Sequence, residues 1–368
     1  MKLNKVVVAP DKFKGSITSK EFCKIANKEI KRIDKDINVE SFCLADGGEG
    51  SLDLYAELTG ANIKVNYVCD AYFNKSKARF AIKDKVAFVE LAETSGLYKT
   101  KLKNPRITTS FGFGEQILQA IKLGAKTIYL SIGGSSTNDA GCGMAAGIGY
   151  KFFDKDNNKF VPTGESLNKI VAIENPAIDL SKIKFVCLCD VKNTLCGVNG
   201  AACVYAKQKG ATDEDIKLLD NNLKAFNNFA KQKGFDFNKI KGSGAAGGLG
   251  AGVIYFLNAS IQSELDFFVK ISKLDTFIKD ADLIITGEGK IDEQSLCGKV
   301  VFGLKKLCKS KKLVAFCGEN LLVNSKYDFD IVEINPKGSS LKHALKHSKH
   351  NLKFAIRSYL RNFINSQN

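Results

Sequence analysis

The sequence predicts an α/β protein with a substantial parallel sheet, on three observations. Short β-branched runs alternate along the chain with helical patterns. A glycine-rich or acidic loop follows most of those runs directly. At 368 residues the chain is long enough for two buried cores, since one domain takes roughly 150 residues.

The elements follow in order. Residues 5–9 read as a buried strand and residues 11–16 as its loop. Phe22, Ile25, Ala26, Ile30 and Ile33 fall on one face of a helix capped by Thr18 or Ser19. Residues 39–44 form the next run, before Asp46-Gly47-Gly48-Glu49-Gly50, and residues 52–58 a helix stopped by Gly60. Later strands are residues 127–132 before Gly133-Gly134, 185–189 before Asp190, 283–286 before Gly287 and 313–317 before Gly318. Ligands of such sheets bind outside the carboxyl ends of the strands. Loops at Asp11, Asp46, Gly133, Asp190 and Gly287 would therefore converge on one edge if their sheets face a common cleft.

Composition narrows the class. Hydrophobic residues are 44% and charged residues 26%, which excludes disorder and coiled coil as the main state. Lys plus Arg is 55 against 39 for Asp plus Glu, a net +16. Arginine stands only at 32, 79, 106, 357 and 361, and the lysines spread over the whole chain. Nucleic-acid readers use arginine forks and basic clusters, so the charge reads as a solvated surface and no nucleic-acid partner is expected. The 11 cysteines are odd in number and form no Cys-x-x-Cys, which argues for reduced thiols rather than a disulfide framework. The apolar stretch at residues 6–9 is too short for a signal peptide. The first half of the uncharged window 242–263 is mostly glycine and alanine and its end is polar, so no membrane span is expected and the protein is placed in the cytoplasm.

Several loops carry candidate chemistry. Lys14-Gly15-Ser16 can offer N–H groups, a hydroxyl and an ammonium to a phosphate at a helix N-terminus, or be an ordinary turn with its lysine in water. The two acids and three glycines of residues 46–50 suit a backbone that approaches a ligand closely, with carboxylates able to hold the magnesium that carries ATP phosphates. Gly133-Gly134-Ser135-Ser136-Thr137-Asn138-Asp139 can bind a small polyhydroxy acid or a phosphate, or serve as a cluster of helix caps. Gly242-Ser243-Gly244-Ala245-Ala246-Gly247 matches a dinucleotide fingerprint in letters alone, because residues 235–241 make a poor central strand. No Gly-x4-Gly-Lys-Ser/Thr P-loop is present: Gly289-Lys290 and Gly298-Lys299 are followed by Ile291 and Val300.

The three histidines, His343, His347 and His350, lie among C-terminal lysines, away from every glycine-acid loop. Their placement argues against Ser-His-Asp hydrolysis and leaves a carboxylate or a lysine as the general base. Asp190 is the leading carboxylate. It caps an entirely apolar run and has no glycine until Gly197, so a rigid strand would hold it. The base reading competes with a metal ligand, and with a residue that caps a helix or orders the Asn193 turn. Asp139 is the next candidate base.

Taken in order, these loops resemble the glycerate kinase family of the bacterial two-domain type without a P-loop. The resemblance rests on Ala9-Pro10-Asp11 with Phe13-Lys14-Gly15-Ser16, and on residues 45–50. Glu90 with Glu93 and Ser95-Gly96-Leu97, Asn104-Pro105 with Thr108-Thr109, and residues 133–143 continue it. Cys189-Asp190-Val191, Gln208-Lys209-Gly210-Ala211-Thr212, residues 244–250 and Thr286-Gly287-Glu288-Gly289 with Asp292 complete it. It implies ATP- and Mg²⁺-dependent phosphorylation of D-glycerate, with 2-phosphoglycerate favoured over 3-phosphoglycerate. It implies a flavodoxin-like (Rossmann-like) domain of residues 1–65 plus 285–368, an inserted α/β domain of residues 66–284, and an active site in the cleft between them.

Under that resemblance Asp190, Lys14 and Asp139 are catalytic candidates, and Ser135, Ser136, Asn138, Ser95 and Thr109 would hold substrate. Lys14, Gly15, Ser16, Gly47, Gly48, Gly287 and Lys290 would face the nucleotide phosphates. Asp46, Glu49, Glu288 and Asp292 are the metal candidates, although magnesium usually takes only one or two carboxylates. Lys12, Lys103, Lys290 and Thr194 depart from the family's usual residues. Lysine at 290 keeps a charge but loses the bidentate fork of arginine. The rival reading is a non-catalytic regulator that binds a small acid or nucleotide in the same pocket.

Overall fold

The buried run near the N-terminus becomes the strand Lys5–Val8, and Phe22, Ala26 and Ile30 line the buried face of the helix Ser19–Ile33. Thr18 caps that helix by accepting from the Glu21 N–H at 3.2 Å, while Glu21 Oε2 accepts from the Thr18 N–H at 2.9 Å. Two orphan donors of the first turn are thus satisfied together. These coordinates are a computed structural model that describes residues 3–45, 48–296, 300–322 and 327–366. Asp46, Gly47 and the Gly298-Lys299 pair lie outside the described residues.

The chain divides into two compact units, Met1–Asp46 with Leu265–Asn368, and Gly47–Glu264. The first holds a five-stranded sheet in the spatial order Asp330–Glu333, Lys312–Asn320, Leu283–Ile291, Lys5–Val8, Asn38–Ser41, every pair parallel. Counted along the chain the order is 2-1-3-4-5. Its core joins Val6, Val8, Ile285, Val314 and Phe316 to Phe22 and Ile30 of the first helix and to Leu352, Ile356 and Leu360 of the last, Leu341–Asn365. Those two helices are also locked by charge. Glu29 is fully buried, and its carboxylate accepts from Arg32 at 3.1 Å and from Arg357 at 2.9 Å.

The second unit holds a six-stranded mixed sheet in the order Ser260–Gln262, Lys184–Leu188, Thr127–Ser131, Val86–Glu90, Lys75–Lys83, Asn62–Cys69. Its first four strands run parallel and the last two are antiparallel. A small antiparallel sheet of Lys159–Phe160, Lys151–Phe153 and Ala172–Glu174 accompanies it. Among the described residues no helix is long and apolar enough to cross a membrane.

The unit boundaries fall near 46/47 and 264/265, against 65/66 and 284/285 from the sequence, and packing accounts for the shift. The helix Ser51–Thr59 belongs to the second unit, because Tyr55 stacks on Phe88 at 4.7 Å and the Leu52 N–H donates to Glu90 at 2.8 Å. The helix Leu274–Lys279 belongs to the first, where Phe277 meets Phe42 at 5.1 Å. Two strands also run further than their sequence suggests. Leu283–Ile291 continues through Gly287, and Lys312–Asn320 through Gly318. Gly287 is therefore inside a strand rather than in a loop. A Cβ there would stand 2.5 Å from the Phe316 carbonyl oxygen and 2.9 Å from the Phe22 ring, so its missing side chain serves packing.

Candidate active site

In the first unit, adjacent parallel strands bring residues 11–17 beside residues 287–292. The Asp11 N–H donates to the Gly287 carbonyl at 2.9 Å, and Gly289 lies against Phe13 and Lys14. Residues 13–17 form a tight turn. The N–H groups of Ser16 and Ile17 both donate to the Phe13 carbonyl, at 2.9 and 3.1 Å, and Ser16 Oγ points to the same oxygen at 3.3 Å. Gly15 makes the turn possible with φ +81°. The segment is thus a turn tip preceding the helix cap at Thr18, with the Ser16 and Ile17 N–H groups engaged inside the turn. What it presents is the exposed Lys14 ammonium. Lys290 is exposed as well, with Nζ 3.8 Å from Asp292, while Glu288 is buried. Of the four metal candidates, Glu288 and Asp292 lie in this unit, Glu49 in the other, and Asp46 is outside the described residues. Among the described residues no group of three or more His, Cys, Asp or Glu is placed to hold a metal ion.

In the second unit the loops after parallel strands interlock. A Cβ on Gly48 would lie 3.7 Å from the backbone of Gly133 and Gly134, so two glycine loops touch there. The Leu97 N–H donates to the Gly134 carbonyl at 2.8 Å, and Ser136 gives both its N–H and its hydroxyl to the Ser95 carbonyl, each at 2.8 Å. Ser95 Oγ donates to the Thr109 carbonyl and Thr108 Oγ1 to the Ser136 carbonyl, both at 2.8 Å. Thr109 Oγ1 accepts from the Phe111 N–H at 3.1 Å. The hydroxyl protons of Ser95 and Ser136 therefore hold the loops to one another.

Asp139 is fully buried and similarly engaged. Its Oδ2 accepts from the Ser110 N–H and hydroxyl at 2.7 Å each, and Oδ1 accepts from the Gly141 N–H at 3.1 Å. Burial raises its pKa against the lowering pull of those donors. A carboxylate occupied by three internal donors clamps the loop and has little freedom to accept a substrate proton. Asp190 is only partly buried, at the end of Lys184–Leu188, where Oδ1 accepts from the Glu264 N–H at 3.0 Å. Glu264 opens the helix Glu264–Ser272, so Asp190 does bond a helix start. Beside it, burial pushes the Glu264 carboxyl well up, and Ser131 Oγ lies 3.1 Å from both of its oxygens.

Asn138 stands apart. It is fully buried, yet neither its amide nitrogen nor its carbonyl oxygen has a hydrogen-bond partner, and the neighbouring Thr137 hydroxyl has none. Leaving such groups unsatisfied costs ~1–3 kcal/mol each, so this is where the loop is unfinished without a polar ligand or water.

The glycine fingerprint at residues 242–247 works from behind this loop. Ala246, Gly247 and Gly248 all have positive φ, kinking the segment Ala245–Leu257. A Cβ on Gly247 would stand 2.0 Å from the Thr137 carbonyl oxygen, and the Ala140 N–H donates to the Gly247 carbonyl at 3.1 Å. These glycines let one backbone lie against another, as close packing demands. One participant escaped the sequence reading except as a matched letter. Lys209 is 2% exposed and donates to Ser135 Oγ at 2.8 Å and to the Thr137 carbonyl at 2.7 Å. Nothing local distinguishes it from the chain's many solvated lysines. A surface pocket of about 260 Å³ lined by Lys184, Phe185 and Ser260 lies at the amino ends of the strands, the opposite edge from these loops.

Fold and loops together define a two-unit α/β protein with its polar machinery at the carboxyl ends of parallel strands. Residues 6–363 match the model of the glycerate kinase family. The chain is 40% identical over 312 residues to a glycerate kinase of Bacillus cereus, covering 83% of this chain and 82% of that one. It is 37% identical over 323 residues to the glycerate 2-kinase of Escherichia coli K12, covering 85% of each. A crystal structure from Salmonella typhimurium LT2, described as a "putative glycerate kinase 2", superposes with a TM-score of 0.80 at 31% identity and full coverage of both chains. The chain belongs to the glycerate kinase family, in its two-domain bacterial type.

Proposed function

We propose that this protein phosphorylates D-glycerate with ATP and Mg²⁺, giving 2-phosphoglycerate in preference to 3-phosphoglycerate. The observation that carries the reading is Asn138, a buried amide with both polar atoms unpartnered in a hydroxyl-rich loop after a parallel strand. Glycerate, with one carboxylate and two hydroxyls, supplies the donors and acceptors such an amide lacks. The E. coli relative's name supports the 2-position. A flavodoxin-like first unit is supported by its all-parallel 2-1-3-4-5 strand order, whose switch point lies between Lys5–Val8 and Leu283–Ile291. Lys14 stands exposed in the turn beyond Lys5–Val8 and Lys290 near the carboxyl end of Leu283–Ile291, where a nucleotide's phosphates would meet them.

In this reading a glycerate hydroxyl oxygen attacks the γ-phosphorus, the bond from that phosphorus to the ADP oxygen breaks, and the hydroxyl proton passes to Asp190 Oδ. Lys14 offsets phosphate charge. Asp46, Glu49, Glu288 and Asp292 are the candidate oxygen donors, of which magnesium would take one or two and, when bound, would neutralise charge on the phosphates. Coupled measurement of ADP release with D-glycerate, followed by phosphorus NMR of the product, tests the proposal. No release above the no-acid background overturns the activity, and a 3-phosphoglycerate signal overturns the regiochemistry.

A further inference from the structure

The 135–139 loop is held from several sides, and one of its holders has no obvious stabilising purpose. Lys209 ends the short turn Lys207–Lys209, and Gly210 follows with φ +93°, where a Cβ would stand 2.4 Å from the Lys103 carbonyl oxygen. Its backbone is therefore pinned, and its side chain runs into the interior at 2% exposure. Placing an ammonium there is costly unless it is well paired. Yet both of its hydrogen bonds go to neutral oxygens, Ser135 Oγ and the Thr137 carbonyl. Burial pushes its pKa down to about 7, with the Asp139 charge pulling the other way. An apolar side chain with a differently sealed loop would be the cheaper core.

The two bonds have a specific geometric consequence. They fix the loop at residues 135 and 137, while the Ala140 N–H is fixed on Gly247 and Asp139 on Ser110. Between these anchors the Asn138 side chain is left with both polar atoms unspent. The geometry points to Lys209 as the positioning residue of this loop, holding it in the shape that reserves the Asn138 amide for the substrate's oxygens. This rests on the reading that the loop holds glycerate. The lysine acts through the loop and need not touch the substrate itself. Loss of its two donors should loosen residues 135–138 and weaken glycerate without touching the nucleotide.

Lys209→Met, of similar length but without donors, tests this in two ways on the full chain. Its KM for D-glycerate should rise about tenfold, the worth of a buried hydrogen bond, while the KM for ATP stays within about twofold. Amide hydrogen exchange at Ser136 to Asn138, measured without ligand, should quicken about tenfold while the strand Lys5–Val8 is unchanged. Lys209→Gln, whose amide keeps two donors, should recover part of both effects, and it carries the same readouts if the methionine variant does not fold. Equal rises in both KM values, or unchanged exchange at residues 136–138, overturn the inference. If the wild type releases no ADP with D-glycerate, the functional reading falls and takes the substrate half of this inference with it. The exchange measurement still decides whether Lys209 positions the loop.

Discussion

The 13–17 turn of the first unit and the 133–141 loop of the second both follow a parallel strand, and both combine glycine, hydroxyl and charge. In the first, the N–H groups close a turn on the Phe13 carbonyl and leave Lys14 pointing into solvent. In the second, hydroxyls and carboxylate are turned inward, and the exposed surface has shrunk to Gly134, with Gly133 only partly covered. The difference matches two kinds of ligand. A polyanion carrying its own magnesium can be met by exposed charge that need not be oriented closely. A three-carbon acid offers few atoms, so recognising it takes groups held in place beforehand. Similar loop composition thus yields an exposed electrostatic edge in one unit and an internally bonded loop in the other, which under the proposed function is a preorganised pocket wall.

The sharpest way to break that comparison is at Asp190, the second unit's one candidate base that is not sealed. Asp190→Asn keeps volume and its bond from Glu264 but removes the proton acceptor. Turnover should fall ~10²–10⁴-fold with nucleotide binding retained, read by steady-state kinetics and ATP titration. Near-normal turnover would move the base elsewhere. The three donors on Asp139 leave that residue a poor replacement.

A change in the first unit should act on stability and spare the second. Arg357→Met removes one of two guanidinium groups from the fully buried Glu29 carboxylate. Breaking a buried pair costs ~3–5 kcal/mol, and the remaining Arg32 contact places this case at the low end. Urea unfolding should show the loss, and hydrogen exchange should assign it to the helices Ser19–Ile33 and Leu341–Asn365. A shift below about 0.5 kcal/mol would mean the lock is a solvated ion pair.

Which parts of this were visible beforehand follows from what burial demands of a sequence. The parallel strands and the first helix could be read because their apolar residues recur with period, and Thr18 and Gly60 mark real caps. The edge strand Asn62–Cys69 and its neighbour Lys75–Lys83 could not, since lysine, asparagine and serine interrupt them and Val65 and Tyr67 of the edge strand face solvent. Gly287 misled, because it looks like a ligand loop although a Cβ there would strike backbone; Gly247, in the fingerprint the sequence matches in letters alone, is likewise a packing device. Of the site, the polar loop 133–139 was visible as composition, whereas Lys209 and Glu29 are single charges whose burial depends on elements dozens or hundreds of residues away.

Within the electrostatic edge, Lys14→Met should reduce turnover roughly 10²–10³-fold, the ~2.7–4 kcal/mol typical of one donor aimed at developing charge. The fold should survive, because the side chain is exposed. A loss under threefold would return Lys14 to an ordinary turn. At the pocket wall, Asn138→Ala should raise the KM for D-glycerate or lower kcat, by ~1.5–3 kcal/mol in kcat/KM where the lost bond is to a carboxylate. The same variant should be no less stable than the wild type, because it removes atoms that have no partner. An unchanged kcat/KM for glycerate would take the loop out of the site.

The smallest expected effect concerns how the pocket wall bears its buried charge. Burial lowers the Lys209 pKa from 10.5 to about 7 in the folded protein, while in the unfolded chain it keeps its ordinary value. Between pH 7 and 10.5 the unfolded state therefore holds one proton more than the folded state, so raising the pH through that window stabilises the fold. Below pH 7 both states are protonated and the cost of the buried ammonium is present in full. Comparing the wild type with Lys209→Met cancels every other titrating group that the substitution leaves alone. The stability difference, wild type minus variant, should be flat below pH 7 and climb above it by at most ~1.4 kcal/mol per pH unit. Urea unfolding at pH 6, 7, 8 and 9 reads that slope. A flat difference across the whole range would show that Lys209 stays charged, held by Asp139 as an ion pair rather than bearing the burial alone. The loop would then owe its shape to charge pairing, and Lys209→Gln would no longer be expected to restore it.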